Sequence, residues 1–123
     1  MADMVMLNHK ALIPVGSSWT RAYSPRYYDG VAWKSRTKGA TLLRTNVRAD
    51  RLWLVVATGQ AGCTVGAFDN GQLIKKVSLF ASTASARAVL PVRTSHKWSG
   101  TLKLVVLSVN CPVVIEGVAL RAY

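Results

Sequence analysis

Apolar and polar residues alternate along most of this chain, and Val, Ile and Thr recur within the alternating runs. An extended strand points successive side chains to opposite faces, so such a run buries one face and leaves the other in water. The pattern predicts strands over residues 11–15, 31–35, 40–47, 52–58, 63–68, 73–80, 88–92, 101–108 and 113–122. No stretch of helical length carries apolar residues at i, i+3, i+4 and i+7 without a turn residue inside it. The chain is therefore expected to be all-β, an antiparallel sandwich or barrel of eight or nine short strands. The inward positions of the later strands are expected to be Leu52, Leu54, Val65, Ala67, Val77, Leu79, Leu102, Leu104, Val106, Ile115 and Ala119.

Turn chemistry punctuates the pattern. Asp69-Asn70-Gly71 lies between two alternating runs, and Asn-Gly tolerates the positive φ angles of a tight hairpin. Ala49-Asp50, residues 58–62 and Trp98-Ser99-Gly100 supply further turns, and Asn110-Cys111-Pro112 opens the last strand where a proline is tolerated. With no repeat, low-complexity tract or linker, residues 1–123 read as a single domain, with residues 1–28 as an N-terminal arm or contact segment. Free termini are disordered unless tied down, so residues 1–10 are expected to lie against the domain or against a neighbour in an assembly.

Composition narrows the class. At 123 residues the chain can bury one core, and half of it is apolar with only 17% charged, which excludes a disordered basic tail. Every apolar run is interrupted well short of the roughly 20 residues needed to span a bilayer as a helix, so no membrane partner is expected. The N-terminus has an acid where a secretory leader needs bases, so no signal peptide is expected. Cys63 and Cys111 are too few for a disulfide scaffold. A single bridge between them stays open, while the lack of an export signal favours two reduced, buried thiols.

The formal charge of +11, from 16 bases and 5 acids, calls for an acidic counterpart. Residues 10–51 hold nine of the bases against Asp29 and Asp50. Within them, residues 19–38 interleave Trp19, Tyr23, Tyr27, Tyr28 and Trp33 with Arg21, Arg26, Lys34, Arg36 and Lys38. Trp, Tyr and Arg combine large rigid area with hydrogen-bonding ends, so Trp19, Arg21, Tyr23, Arg26, Tyr27, Tyr28, Trp33, Lys34 and Arg36 are the candidate partner-binding residues. The competing reading is that Trp19, Trp33 and one or two of the tyrosines plug one end of a sandwich. Lys75-Lys76 reads as a charged strand edge that resists aggregation.

Catalytic and metal chemistry is thin. Two histidines, two cysteines and isolated acids form no paired carboxylates and no clustered ligand spacing, and Ser95-His96 has no acid nearby in sequence. Asp29, Asp50, Asp69 and Glu116 fall in different turns and strands, which disfavours a calcium loop. No enzyme activity, catalytic residue, metal or cofactor is expected.

From Gly30 onward the order of features resembles the jelly-roll, carbohydrate-binding-module-like accessory domains of secreted bacterial hydrolases and peptidases. Trp33-Lys34-Ser35 and Lys38-Gly39-Ala40-Thr41-Leu42 resemble the family's aromatic lead and Gly-Ala strand opening, and Leu52-Trp53-Leu54-Val55 its "V-x-W-V" strand. The hairpin through Asp69-Asn70-Gly71 is similar to "V-x-V-D-G", and residues 76–82 to "T-V-D-L-Y-A-S", with Ser78 in place of the family's acid. Residues 98–107 and 114–120 are similar to the closing "W-x-x-G-x-H-x-x-x-V-V-V-L" and "V-x-V-D-A-F-x-V". The resemblance covers about three-quarters of the chain and implies a β-sandwich of jelly-roll type with a non-catalytic binding or positioning role.

Combined with the charge and the missing export signal, this leads to an expected structural protein of a bacteriophage virion, a capsid decoration protein docked on an acidic protein lattice. The major capsid protein or another virion protein would be its partner in an oligomeric assembly, and glycans a further contact. The alternative is a carbohydrate-binding accessory module of a secreted bacterial hydrolase. Nucleic-acid binding ranks lower, because no helix-turn-helix, paired aromatic strand signature or Arg-rich arm is present.

Overall fold

Strands form where the alternation calls for them, and their side-chain parity decides which residues meet in the core. The computed structural model describes residues 4–93 and 97–122. It contains β1 (Val5–Asn8), β2 (Ile13–Val15), β3 (Thr20–Tyr23), β4 (Val31–Ser35), β5 (Thr41–Thr58), β6 (Thr64–Asp69), β7 (Gln72–Ser78), β8 (Ser85–Arg93), β9 (Trp98–Val106) and β10 (Val113–Ala122). Single-turn 3-10 helices occupy His9–Ala11 and Tyr28–Gly30. All strand pairs are antiparallel, in the order β3-β4-β10-β5-β9-β6-β7, with β1 on β10 and both β2 and β8 on β5. The fold is the expected all-β sandwich, with ten strands among the described residues.

Strand β5 is the hub of the strand order. Its first half pairs with β9 and β2, and its second half with β10 and β8. The strands expected over 40–47 and 52–58 are thus one 18-residue strand, and Ala49-Asp50 is not a turn. Local polarity suggested a reversal, but Ala49 pairs with Trp98 of β9 on one side and Ala122 of β10 on the other. Register shifts near Asn46, which has a φ of 56°, and near Asp50 change the parity. As a result Leu42, Val47, Ala49, Leu52, Leu54 and Val56 all reach the same core.

A third irregularity falls at Glu116, between the Ile115 and Gly117 pairings with β5. It moves Val118 and Leu120 into the central cluster beside Ile115. Ala119 is fully buried as expected, but it is not part of the central cluster. The other ten expected core positions lie in the cluster. The Asn70-Gly71 hairpin forms as expected, with φ angles of 49° and 88° and Asp69 opposite Gln72.

The described part of residues 1–28 is hydrogen-bonded into the sandwich through β1, β2 and β3. Gly117 makes the first of these contacts feasible. A Cβ there would collide with the Leu7 carbonyl oxygen.

Cys63 and Cys111 form a disulfide with Cα atoms 5.8 Å apart, which corrects the expectation of two free thiols. The turn before β6 and the connection before β10 close the same end of the sandwich, so residues 48 apart in sequence become neighbours.

Candidate functional site

The loop between β3 and β4 is shaped by its own sequence. Ser24 Oγ accepts from the Arg26 N–H at 3.2 Å, the Tyr27 N–H donates to the Ser24 carbonyl, and the Gly30 N–H to the Tyr27 carbonyl. Asp29 and Gly30 take left-handed conformations, at φ 58° and 74°, that return the chain to β4.

Glu116 fixes this loop to the body. Its side chain is fully buried in an apolar strand, where an unpartnered carboxylate would cost several kcal/mol. Oε1 accepts from the Tyr28 N–H at 2.6 Å and Oε2 from the Arg87 N–H at 2.9 Å, so one carboxylate ties the β3–β4 loop and β8 to β10. The Arg87 guanidinium adds donations to the Pro25 and Tyr27 carbonyls at 3.4 and 3.3 Å.

Two clefts open beside the C-terminal end of β5 and share Ala57 and Thr58. The larger, about 260 Å³, runs between the β3–β4 loop and the start of β8 and is lined by Ser24, Arg26, Tyr27, Thr58 and Ser85 among others. The smaller, about 190 Å³, lies between Lys34 and the 59–63 turn, with Cys63 and Pro112 in its wall. The disulfide therefore braces one side of it. Phe80, 60% exposed, lays its ring against Gly62 beside this cleft. Gly62 sits at a φ of 66°, where a side chain would be strained.

Among the described residues, no carboxylate lines either cleft. The described acids are engaged elsewhere: Asp50 accepts from Arg121 at 2.8 and 2.5 Å, Asp69 from Arg93 at 3.1 Å, and Asp29 from Asn8 at 2.8 Å. The hydrogen bond from Arg121 holds the Asp50 carboxyl below the usual carboxylate range. Burial, aided by the Arg21 and Lys10 charges and opposed by Asp29, lowers the His9 imidazole below its ordinary value. Among the described residues, no three His, Cys, Asp or Glu side chains gather into a metal-binding group.

The nine candidate contact residues divide. Trp19 and Trp33 are buried, with Nε1 atoms donating to the Thr41 and His9 carbonyls at 3.0 and 2.8 Å. Arg21 stacks over Trp33 with its guanidinium carbon 5.5 Å from the ring centroid, and Tyr28 donates its hydroxyl to the Met6 carbonyl. These four side chains secure the β1–β4 region. Arg26 and Tyr27 line the larger cleft and Lys34 the smaller, whereas Tyr23 and Arg36 are exposed and line neither.

Sequence reasoning missed Glu116, Arg87, Thr58 and Ser85. A lone acid inside an apolar run was the available signal for Glu116, since such a charge needs partners. Ser95-His96 lies outside the described residues.

No protein-family model matches this chain, and no curated protein matches it in sequence. Solved structures do match in fold. The CBM36-1 domain of a multidomain xylanase from the hindgut metagenome of Trinervitermes trinervoides superposes with a TM-score of 0.72 at 10% identity, covering 98% of each chain. A family 6 carbohydrate-binding module from Clostridium stercorarium, solved with cellobiose, gives 0.67 at 13% identity over 97% of this chain and 94% of that one. A family two carbohydrate esterase from Cellvibrio japonicus gives 0.70 at 13% identity, and there this chain spans only 35% of the other. The chain thus shares its β-sandwich fold with these solved structures.

Proposed function

We propose that the protein is a non-catalytic carbohydrate-binding module whose glycan contacts lie in the paired clefts. The observation that carries this reading is the larger cleft, where Tyr27, Arg26, Thr58 and Ser85 meet on a frame pinned by Glu116. An aromatic face covers the C–H surface of a sugar ring, while hydroxyl and guanidinium groups hydrogen-bond its oxygens. Near-complete mutual coverage with two isolated carbohydrate-binding modules supports the same reading.

The structural neighbours favour this alternative over capsid decoration, since two are carbohydrate-binding modules and the third is a carbohydrate esterase. The disulfide points the same way, because such bonds persist in oxidising compartments, which fits a secreted accessory module. Affinity electrophoresis through gels containing xylan, soluble cellulose derivatives, β-1,3-glucan or polygalacturonate tests the proposal. At least one polysaccharide should retard the protein, and Tyr27→Ala should reduce the retardation without unfolding the domain. Unaltered mobility in every gel would contradict it.

A further inference from the structure

We infer that the glycan taken by these clefts is anionic, a polysaccharide carrying carboxylate or sulfate groups; the inference rests on the carbohydrate-binding reading. The two clefts meet at Ala57 and Thr58, and each has one base in its wall, Arg26 in the larger and Lys34 in the smaller. Both side chains are exposed, and neither makes an ion pair among the described residues. The placement of the acids sharpens the point. Asp50 and Asp69 neutralise arginines elsewhere, Glu116 is buried and committed to two backbone N–H groups, and Asp29, exposed in the β3–β4 loop, accepts from Asn8 and lines neither cleft.

A neutral sugar would gain nothing from this separation of charge. An acidic chain laid across the shared Ala57–Thr58 wall would meet Arg26 on one side and Lys34 on the other, with no carboxylate among the described residues that line the two clefts. Charge-assisted hydrogen bonds from a guanidinium are roughly twice as strong as neutral ones, and a fork of donors matches a carboxylate or sulfate. Tyr27 and Phe80 then offer apolar faces beside the two bases. The long-range field of a +11 protein speeds approach of any polyanion, so the inference concerns these two positions rather than total charge.

The experiment compares polygalacturonate with its fully methyl-esterified form, which keeps the backbone and removes the charge. A single-stranded oligonucleotide serves as an unrelated polyanion. The full chain is compared with R26E/K34E and K75E/K76E, which both lower the formal charge from +11 by four, to +7. Lys75 and Lys76 line neither cleft. Polygalacturonate should bind about tenfold more tightly than the ester, R26E/K34E should lose about tenfold, and K75E/K76E should stay near the parent. Raising salt to 1 M, which shortens the screening length from about 8 to 3 Å, should weaken the acidic polymer selectively.

Equal binding of acid and ester would overturn the inference and leave the glycan reading standing. Equal losses in the two charge variants, or tighter binding of the oligonucleotide than of polygalacturonate, would overturn it in favour of diffuse attraction. Binding to no polysaccharide, neutral or acidic, would remove the glycan reading itself. Thermal midpoints close to the parent's confirm that the variants are folded.

Discussion

The region around the bulges of β5 and the region at its C-terminal end handle charge in opposite ways. Near the bulges, acids meet bases: Asp50 pairs with Arg121 and Asp69 with Arg93. Asn70 closes the adjoining hairpin by accepting from the Thr101 N–H at 2.9 Å and donating to the Ser99 carbonyl at 3.3 Å. At the far end of β5 the acid holds backbone instead. Glu116 grips Tyr28 and Arg87 while Arg26 and Lys34 stay exposed beside open clefts. In the first region each acid is spent on an arginine, and in the second two bases stand exposed beside concave surface. Polar side chains thus do two jobs in one sandwich, completing a fold in the first place and shaping a surface in the second.

The largest effect is expected where both regions share a core. Leu104 is fully buried, and Leu104→Ala should cost about 2 to 5 kcal/mol in urea unfolding. A loss below about 0.5 kcal/mol, far under that range, would mean the side chain is not packed as described. Next, replacing both cysteines by serine should cost about 2 to 4 kcal/mol, since the bridge closes a long loop. Adding reductant to the parent should lower its stability similarly and leave the double variant unchanged. Absence of that response would restore the free-thiol expectation.

Glu116→Gln sharpens the contrast between the two ends. The amide can accept from one N–H and turns a donor toward the other, so the loss should be about 1 to 3 kcal/mol. Hydrogen exchange at the Tyr28 and Arg87 amides should accelerate, while the Thr101 amide held by Asn70 keeps its protection. Uniform acceleration at all three would erase the distinction.

The smallest effect is a pH dependence. The His9 imidazole titrates lower in the folded chain, so the unfolded state takes up protons first as acid is added. Its stabilising contribution is present above the ordinary value of about 6.5 and is lost as pH falls through the folded value. His9→Gln should flatten that limb of a stability-versus-pH curve. The Asp50 contribution has the same sign at lower pH, present above the ordinary carboxylate range and lost as pH falls through the depressed folded value.

Much of the sandwich is legible in the chain because burial of one strand face imposes period two and Asn70-Gly71 imposes a turn. Two features that the local pattern does not show share one physical origin. Ala49-Asp50 is a turn by composition and a bulged strand by pairing, and the extra residue at Glu116 turns Val118 and Leu120, not Ala119, into the central cluster; partners distant in sequence decide both. The candidate site was readable only in part. Arg26, Tyr27 and Lys34 stand out as types, but whether an aromatic is a plug or a platform depends on its neighbours. Trp19 and Trp33 spend their indole N–H groups on carbonyls 22 and 24 residues away. Glu116 acts on residues 88 and 29 positions away, and no local spacing announces that.

Backbone amide shifts recorded while the protein is titrated with oligosaccharides cut from a polysaccharide that retards it test the central claim most directly. The account predicts saturable shifts at Arg26, Tyr27, Thr58, Ser85 and Lys34, with Asn70, Ser99 and Thr101 unmoved. Shifts centred on the Asn70 hairpin or on the Lys75-Lys76 strand, with the cleft residues unchanged, would contradict it.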